Sequence, residues 1–189
     1  KRIKLIKNGV NRGTVYTRAI GCKLTKGKYI MFLSPPDLFC RNNIIESSYN
    51  LGEKTHAEIV HFKNLIGDLD NLKENEKHSP KFFEIKTEKE DSTNSIFHFY
   101  LRTAPDVKNS FVAWDKLYLR DLFIRTLDLI DSKFFDLDLK KYSNWIFKYG
   151  FLYYAKSYIG LNQNGYWKKI KLSSLKKNDY KFDKQLGNF

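Results

Sequence analysis

Cysteine is scarce in this 189-residue chain, which contains only Cys22 and Cys40. Two cysteines cannot build a framework of several disulfides, and a zinc site needs more ligands at closer spacing. We therefore expect no metal cluster and two reduced, buried thiols. Reduced thiols favour a reducing compartment, either the cytoplasm or the cytosolic face of a membrane.

Long hydrophobic runs are also lacking. The longest, around residues 29–33 and 151–155, are far shorter than the ~20 residues that a membrane helix needs, so no transmembrane segment is predicted in this piece. The chain begins with Lys1 and Arg2, with no apolar stretch behind them that would indicate a signal peptide. Its single methionine is Met31. We expect an excised piece of a longer protein.

Apolar residues and positive charge are both plentiful. Hydrophobic residues make up 42% of the chain and aromatic residues 16%, which is enough for the core of one domain. The formal net charge is +13, and basic residues concentrate at 1–7, 23–28 and 168–184. Such a surface either binds phosphates or is simply solvated. No zinc-finger, RNP or basic-zipper pattern is present, so a nucleic-acid partner has only the charge in its favour.

The beginning of the chain predicts a strand–helix–strand unit. Residues 3–6 form a short strand candidate, and residues 14–25 have helical spacing with Thr14 as the N-cap. Residues 29–33 are continuously apolar, as in a central parallel strand covered on both faces. Residues 34–37 break the chain at the carboxyl end of that strand, where open α/β sheets bind ligands. The inward face of the helix is predicted to hold Val15, Ala19 and Cys22.

The later elements follow from the same patterns. In order, we predict a helix at residues 42–54, a strand at 58–62, a long loop or insertion at 64–95, ordered chain again at 96–101, a strand at 111–114, a helix at 116–129, an aromatic helix at 143–159 and a short strand at 165–167. The helix at 42–54 is expected to turn inward Ile44, Ile45, Tyr49 and Leu51. Residues 1–167 form the predicted domain, and residues 168–189 form a Lys-rich tail.

Several of these segments together resemble the family 2 glycosyltransferases of the GT-A fold. The similar segments are Asn11-Arg12-Gly13, Thr17-Arg18-Ala19, Gly27-Lys28-Tyr29-Ile30, the loop Ser34-Pro35-Pro36-Asp37, Trp114-Asp115-Lys116-Leu117-Tyr118 and Ala155-Lys156-Ser157-Tyr158. The resemblance implies an α/β, Rossmann-like fold with a mostly parallel sheet flanked by helices. Because the Asn-x-Gly loop arrives at residue 11, the first βαβ unit, which cradles the nucleotide base and ribose, is expected to be missing.

The resemblance also implies a divalent metal and a catalytic base. In the family the acidic loop holds Mn²⁺ or Mg²⁺ on the donor diphosphate, and these ions prefer carboxylate oxygens. Here Ser34 and Pro36 replace carboxylates, so Asp37 is the one metal ligand that remains.

The acidic pair that supplies the base in the family falls on Ser143 and Asn144, counted back from Ala155. Neither side chain can act as a general base near neutral pH. Asp136 and Asp138 lie upstream and either substitute for that pair or are solvated loop carboxylates.

The residues that the resemblance assigns to substrate binding are Asn11, Gly13, Arg18, Ser34, Asp37, Trp114 and Lys116. Each has a plainer interpretation as well: Arg18 as a surface arginine, and Trp114 and Trp167 as core aromatics. His56 and His61 are expected to be structural, because a ligand site needs further partners.

Three functions remain open at this stage. The resemblance implies transfer of a sugar from a nucleotide-diphospho-sugar donor to the hydroxyl of an unknown acceptor, with Lys or Arg in place of the metal. The alternative is an inactive pseudo-glycosyltransferase that serves in binding or assembly. The third is a basic nucleic-acid-binding domain.

Overall fold

The computed structural model describes residues 3–67, 73–74, 84–86, 113–128, 147, 150–151 and 153–169. The predictions at residues 96–101, 136, 138, 143–144 and 170–189 lie outside these ranges. In chain order the elements are α1 (Gly13–Leu24), β1 (Tyr29–Met31), β2 (Leu38–Phe39), α2 (Ile44–Thr55), β3 (Ile59–Gly67), β4 (Lys73–Glu74), β5 (Glu84–Lys86), β6 (Lys116–Leu119), α3 (Arg120–Asp128) and β7 (Ser157–Lys169).

All seven described strands belong to one sheet with the order β1-β6-β3-β7-β2, while β4 pairs with β3 and β5 with β7. The predicted α/β class is confirmed, but the strand directions differ from the expected mostly parallel sheet. Among the described pairings only β3 and β7 run parallel; the other five are antiparallel. A continuous apolar run reports burial on both faces of the sheet, and here helices cover both faces of antiparallel strands as well, so the run did not distinguish the two directions.

The first strand illustrates this difference. β1 pairs with β6 in antiparallel register and stands at one end of the described strand order, so it is not a central parallel strand. Its apolar character is real, because Ile30 packs into one core cluster and Tyr29 and Met31 pack against clusters on the opposite face. Residues 3–6, the other predicted strand of the unit, form no strand, and Ile3 and Leu5 are exposed.

Helices cover both faces of the sheet. The larger core cluster joins α1, α3 and the helical residues Phe147 and Phe151 to one buried residue each of β1, β3, β6 and β7. Two smaller clusters pack the other face against α2. Alternation along each strand sends successive side chains to opposite layers. None of the helices in the described ranges is long and apolar enough to cross a membrane.

Helix α1 confirms the predicted inward face, since Val15, Ala19 and Cys22 are its buried residues. Its start differs from the prediction. The helix begins at Gly13 with Arg12 at the N-cap position, and no side chain caps it there. Thr14 therefore lies inside the first turn and is not the cap.

Helix α2 confirms Ile44 as an inward residue and also buries two small residues, Ser48 and Gly52, that the sequence pattern did not single out. Ile44, Ser48 and Gly52 are buried, whereas Ile45 and Tyr49, both expected inside, are 53% and 43% exposed. A Cβ at Gly52 would lie 3.0 Å from the Tyr29 hydroxyl. The helix packs close to the sheet because these side chains are small.

Three predicted boundaries need correction. Residues 116–119 form β6 and not the start of a helix. The boundary was missed because the helix α3 begins directly at Arg120, with no Gly or Pro to mark the change. The region 64–95 is not one loop, because residues 64–67 continue β3 and two short strands follow. The strand β7 extends from residue 157 to 169, so it takes residues from both the predicted aromatic helix and the predicted tail.

We expect Gly165→Ala to destabilise the fold. An added Cβ would lie 2.4 Å from Ile44 Cγ1 and 2.5 Å from Phe62 Cδ2, both in a fully buried cluster. The overpacking should cost about 1–3 kcal/mol in urea unfolding. The control is Gly21→Ala, where a Cβ meets nothing within 4 Å and helix propensity should add up to about 1 kcal/mol. Equal unfolding midpoints for the two variants would contradict this packing.

Candidate functional site

One cavity of about 610 Å³ opens between α1 and the chain that runs from β1 into the following loop. Its size is in the range of small-molecule sites. The helix supplies mostly small and polar side chains, and the strand supplies an apolar wall. The lining residues are Asn11, Gly13, Thr14, Thr17, Arg18, Gly21, Cys22, Thr25 and Ile30 to Pro35.

The mouth of the cavity is shaped by the turn that starts α1. Gly13 has a φ of 78°, a conformation that favours glycine. Its backbone N–H donates to Asn11 Oδ1 at 3.0 Å, and its carbonyl accepts from Thr17 Oγ1 at 2.9 Å. Asn8 in turn donates to Thr17 Oγ1 at 2.9 Å. These contacts set the helix end, which carries partial positive charge, beside the cavity.

Arg18 is the cation of the cavity wall. Its guanidinium carbon lies 5.1 Å from the centre of the Phe32 ring. Burial lowers the pKa of Arg18, while electrostatic interactions with Tyr118 and Tyr166 raise it; arginine nonetheless stays protonated in proteins. Cys22, on the same helix, has its pKa raised to about 11, chiefly by burial, so it lines the cavity as a thiol.

Asp37 closes the loop beyond the cavity and faces β7. Its carboxylate is buried, and Oδ2 accepts from Tyr166 Oη at 2.8 Å and from Lys168 Nζ at 2.9 Å. Oδ1 accepts from the backbone N–H of Lys169 at 3.2 Å. The Ser34 N–H, at the cavity wall, donates to Tyr166 Oη at 3.4 Å. Tyr166 therefore links the cavity wall to the Asp37–Lys168 ion pair.

The described residues do not fit a Mn²⁺ or Mg²⁺ site at this loop. Both oxygens of Asp37 already accept hydrogen bonds, and its nearest cation is the Lys168 ammonium. The cavity lining contains no carboxylate. Within the described ranges, no group of three or more His, Cys, Asp or Glu residues is placed to hold a metal ion.

Trp114 packs beside the same tyrosine. Its ring stacks on Tyr166 with the centroids 4.7 Å apart and the planes at 28°, and Lys168 Nζ lies 5.6 Å from the Trp114 ring centre. The indole thus packs against Tyr166 and lies beside the Lys168 ammonium. It is not part of the cavity lining.

Lys116 lies inside the protein in a polar cluster. Lys116 and Asp115 are fully buried and form an ion pair. Asp115 Oδ2 also accepts from Asn64 Nδ2 at 3.0 Å and lies 3.1 Å from His61 Nε2, whose Nδ1 is 2.5 Å from Tyr158 Oη. Because Asp115 can only accept when ionised, His61 donates to it from Nε2, and the other ring nitrogen contacts the Tyr158 hydroxyl. His61 is structural, as predicted.

The charge state of this cluster is set by its cations. Burial alone would raise the pKa of Asp115, but the charges and hydrogen bonds of His61 and Lys116 outweigh it and hold that pKa below its usual value. A carboxyl with a depressed folded pKa contributes stability above its unfolded pKa of about 3.9. That contribution is lost as the pH falls through the lower, folded value.

The structure brings four of the predicted substrate residues to one cavity: Asn11, Gly13, Arg18 and Ser34. Asp37 and Trp114 stand just behind its wall, and Lys116 is in the core. Ser143 and Asn144 lie outside the described residues. The sequence reasoning missed Tyr166 and Lys168. Continuing the predicted strand 165–167 by one residue would have placed both on the same side of it.

Comparison with known proteins identifies solved structures that have a similar fold. No protein-family model and no curated protein sequence matches this chain. Solved structures of S. aureus TarS, a glycosyltransferase, do resemble it. TarS residues 1–349 superpose with a TM-score of 0.58 at 14% identity, over 83% of this chain and 40% of that one.

Two TarS complexes give similar values. The UDP complex has a TM-score of 0.60 at 12% identity, covering 84% of this chain and 40% of the other. The UDP-GlcNAc complex has the same score and identity, over 84% and 39%. The chain spans about two fifths of these TarS chains. At such low identity the likeness shows the fold alone, and that fold is glycosyltransferase-like.

Lys116→Met should cost about 3–5 kcal/mol in the free energy of unfolding, because it leaves the Asp115 carboxylate buried without its cation. The double variant Asp115→Asn, Lys116→Met removes both charges and should recover most of that loss at pH 7. Guanidinium unfolding of the two variants and the wild type measures this. A double variant no more stable than the single one would disprove the coupling.

Proposed function

We propose that this chain is a glycosyltransferase domain that binds a nucleotide-diphospho-sugar and transfers the sugar to an acceptor hydroxyl. The observation that carries the proposal is the meeting of Asn11, Gly13, Arg18 and Ser34 around one cavity. The same residues lie in the segments that resemble family 2 enzymes, and the resemblance assigns them to donor binding. Their convergence supports a donor site there.

The charge of the cavity suits a diphosphate. Arg18 offers a planar donor pair to phosphate oxygens. The first turn of α1 contains no acidic residue, and Arg12 at the N-cap position makes no side-chain cap, so this helix end adds positive potential. The wall formed by Ile30, Met31 and Phe32 is apolar and suits the less polar parts of a donor.

The donor class is drawn from the structural neighbours. TarS was crystallised with UDP and with UDP-GlcNAc, so a uridine nucleotide is the first donor to test on this chain. The acceptor is not indicated by any described residue.

In the reaction, the leaving diphosphate gains negative charge as the glycosidic bond breaks. Donors that are already fixed in a low-dielectric wall stabilise such charge most effectively. Arg18 and the N-terminal amides of α1 would have this role. The acceptor hydroxyl also needs a base, which Ser143 and Asn144 cannot supply; Asp136 and Asp138 remain the candidates.

The donor proposal predicts UDP binding in the presence of EDTA. Arg18→Met should weaken it about 10- to 100-fold, since a hydrogen bond to a charged group is worth about 1.5–3 kcal/mol. The matched control is Lys23→Met, which removes an exposed charge from the last turn of the same helix. Isothermal titration calorimetry measures the affinities. Equal losses of UDP affinity in Arg18→Met and Lys23→Met would contradict a specific role for Arg18, because the loss would then come from the change in net charge alone.

The inactive alternative is favoured by a separate observation. The Asp37 carboxylate is held by Tyr166 and Lys168, and the family's acidic pair is replaced by Ser143 and Asn144. A pseudoenzyme keeps donor binding and lacks turnover.

Comparing donor hydrolysis by the wild type with that of the restored variant Pro36→Asp, Asn144→Asp separates the two functions. The active proposal expects measurable wild-type hydrolysis that EDTA leaves unchanged. A pseudoenzyme gives hydrolysis only in the restored variant.

A further inference from the structure

We infer that Lys168 supplies the cation of the diphosphate site, and that Asp37 serves as the positioning carboxylate for that lysine instead of as a metal ligand. The inference rests on the proposed donor site, which it deepens. It assigns a binding role to a residue that lies far along the chain, in β7.

The first support is the geometry around Asp37. The Lys168 ammonium lies 2.9 Å from Asp37 Oδ2, and the Asp37 side chain is fully buried while that of Lys168 is 31% exposed. An ammonium has three donors, and Asp37 uses one of them. The Lys168 ammonium therefore keeps N–H donors beyond the one that Asp37 accepts. It is held by a buried carboxylate on one side and is open to solvent on the other.

The second support is the position of this pair relative to the cavity. Tyr166 Oη donates to Asp37 and accepts from the backbone N–H of Ser34, a cavity residue. Arg18 lines the opposite wall of the same cavity. Lys168 is thus joined through Asp37 and Tyr166 to the cavity wall at Ser34, and Arg18 is the cation of the wall that faces it.

The third support is the charge balance of the loop. Neither Ser34 nor Pro36 has a carboxylate, and the charge of Asp37 is balanced by Lys168. The loop therefore has no uncompensated negative charge that would repel a diphosphate or require a divalent cation. Lysine binds phosphate as a point charge and needs no water-exchanging metal.

The test measures binding of UDP, inorganic pyrophosphate and uridine to the full chain by calorimetry in EDTA. Lys168→Met should weaken the binding of UDP and pyrophosphate about 10- to 100-fold. It should leave the binding of uridine, which has no phosphate, unchanged. Lys168→Arg should stay within about threefold of the wild type, because it keeps the charge. Lys28→Met is the matched control and should have no effect: Lys28 is also paired with a carboxylate and lies over an aromatic ring, Tyr29, but its partner Glu53 belongs to α2 and not to the Ser34–Asp37 loop.

Removing Lys168 leaves Asp37 buried without its cation, so the fold needs its own control. The double variant Asp37→Asn, Lys168→Met removes both charges and should show the same affinity loss as Lys168→Met while unfolding like the wild type. Wild-type affinity in either of these variants overturns the inference, as does UDP binding that requires Mn²⁺ and is abolished by Asp37→Asn.

The two proposals fail in different ways. If the wild type binds pyrophosphate but not UDP, the nucleotide donor is wrong and the Lys168 comparison still decides the inference with pyrophosphate. If the wild type binds UDP and Lys168→Met binds it equally well, the donor site stands and the role of Lys168 is refuted. Binding of neither probe overturns both.

Discussion

The parallel pairing of β7 with β3 is the constraint on which the rest of this structure depends. It extends along the whole of β3, and it carries the side chains of β7 to both polar centres of the protein. Near its start, Tyr158 reaches His61 in the buried cluster. Further along, Tyr166 and Lys168 reach Asp37. A register slip of one residue would turn each of these side chains to the other face of the sheet.

Two buried carboxylates show how the molecule distributes its excess positive charge. Asp115 and Asp37 are each paired with a lysine, but only the first pair is sealed in the core. Removing one member of a buried ion pair is costly, whereas removing both is often tolerated. Asp115–Lys116 therefore acts on stability, and Asp37–Lys168 keeps a partly exposed ammonium behind the cavity wall at Ser34. Of a net charge of +13, the account of the site needs only Arg18 and Lys168.

Local sequence patterns predicted residues of the cavity wall, but they could not predict contacts between residues that are far apart in the chain. The apolar spacing of Val15, Ala19 and Cys22 identified the inward face of α1, which left Arg18 toward the cavity. The role of Asp37 depends on Lys168, which is 131 positions away, and no local period reports such a contact. Two other features could not be predicted from local patterns: the antiparallel direction of β1 and the direct change from strand to helix at Arg120. Neither feature is marked by a turn residue in the sequence. The resemblance assigned Lys116 to substrate binding, because nothing in the sequence shows that Lys116 and its neighbour Asp115 are buried together as an ion pair.

A crystal structure of the full chain with UDP, grown once with EDTA and once with Mn²⁺, shows whether Lys168 or a metal ion holds the diphosphate. We expect the same complex in both crystals: the diphosphate lies between the Arg18 guanidinium and the Lys168 ammonium, and Lys168 stays hydrogen-bonded to Asp37. A Mn²⁺ ion coordinated by Asp37, with Lys168 displaced and the diphosphate absent from the EDTA crystal, would contradict it.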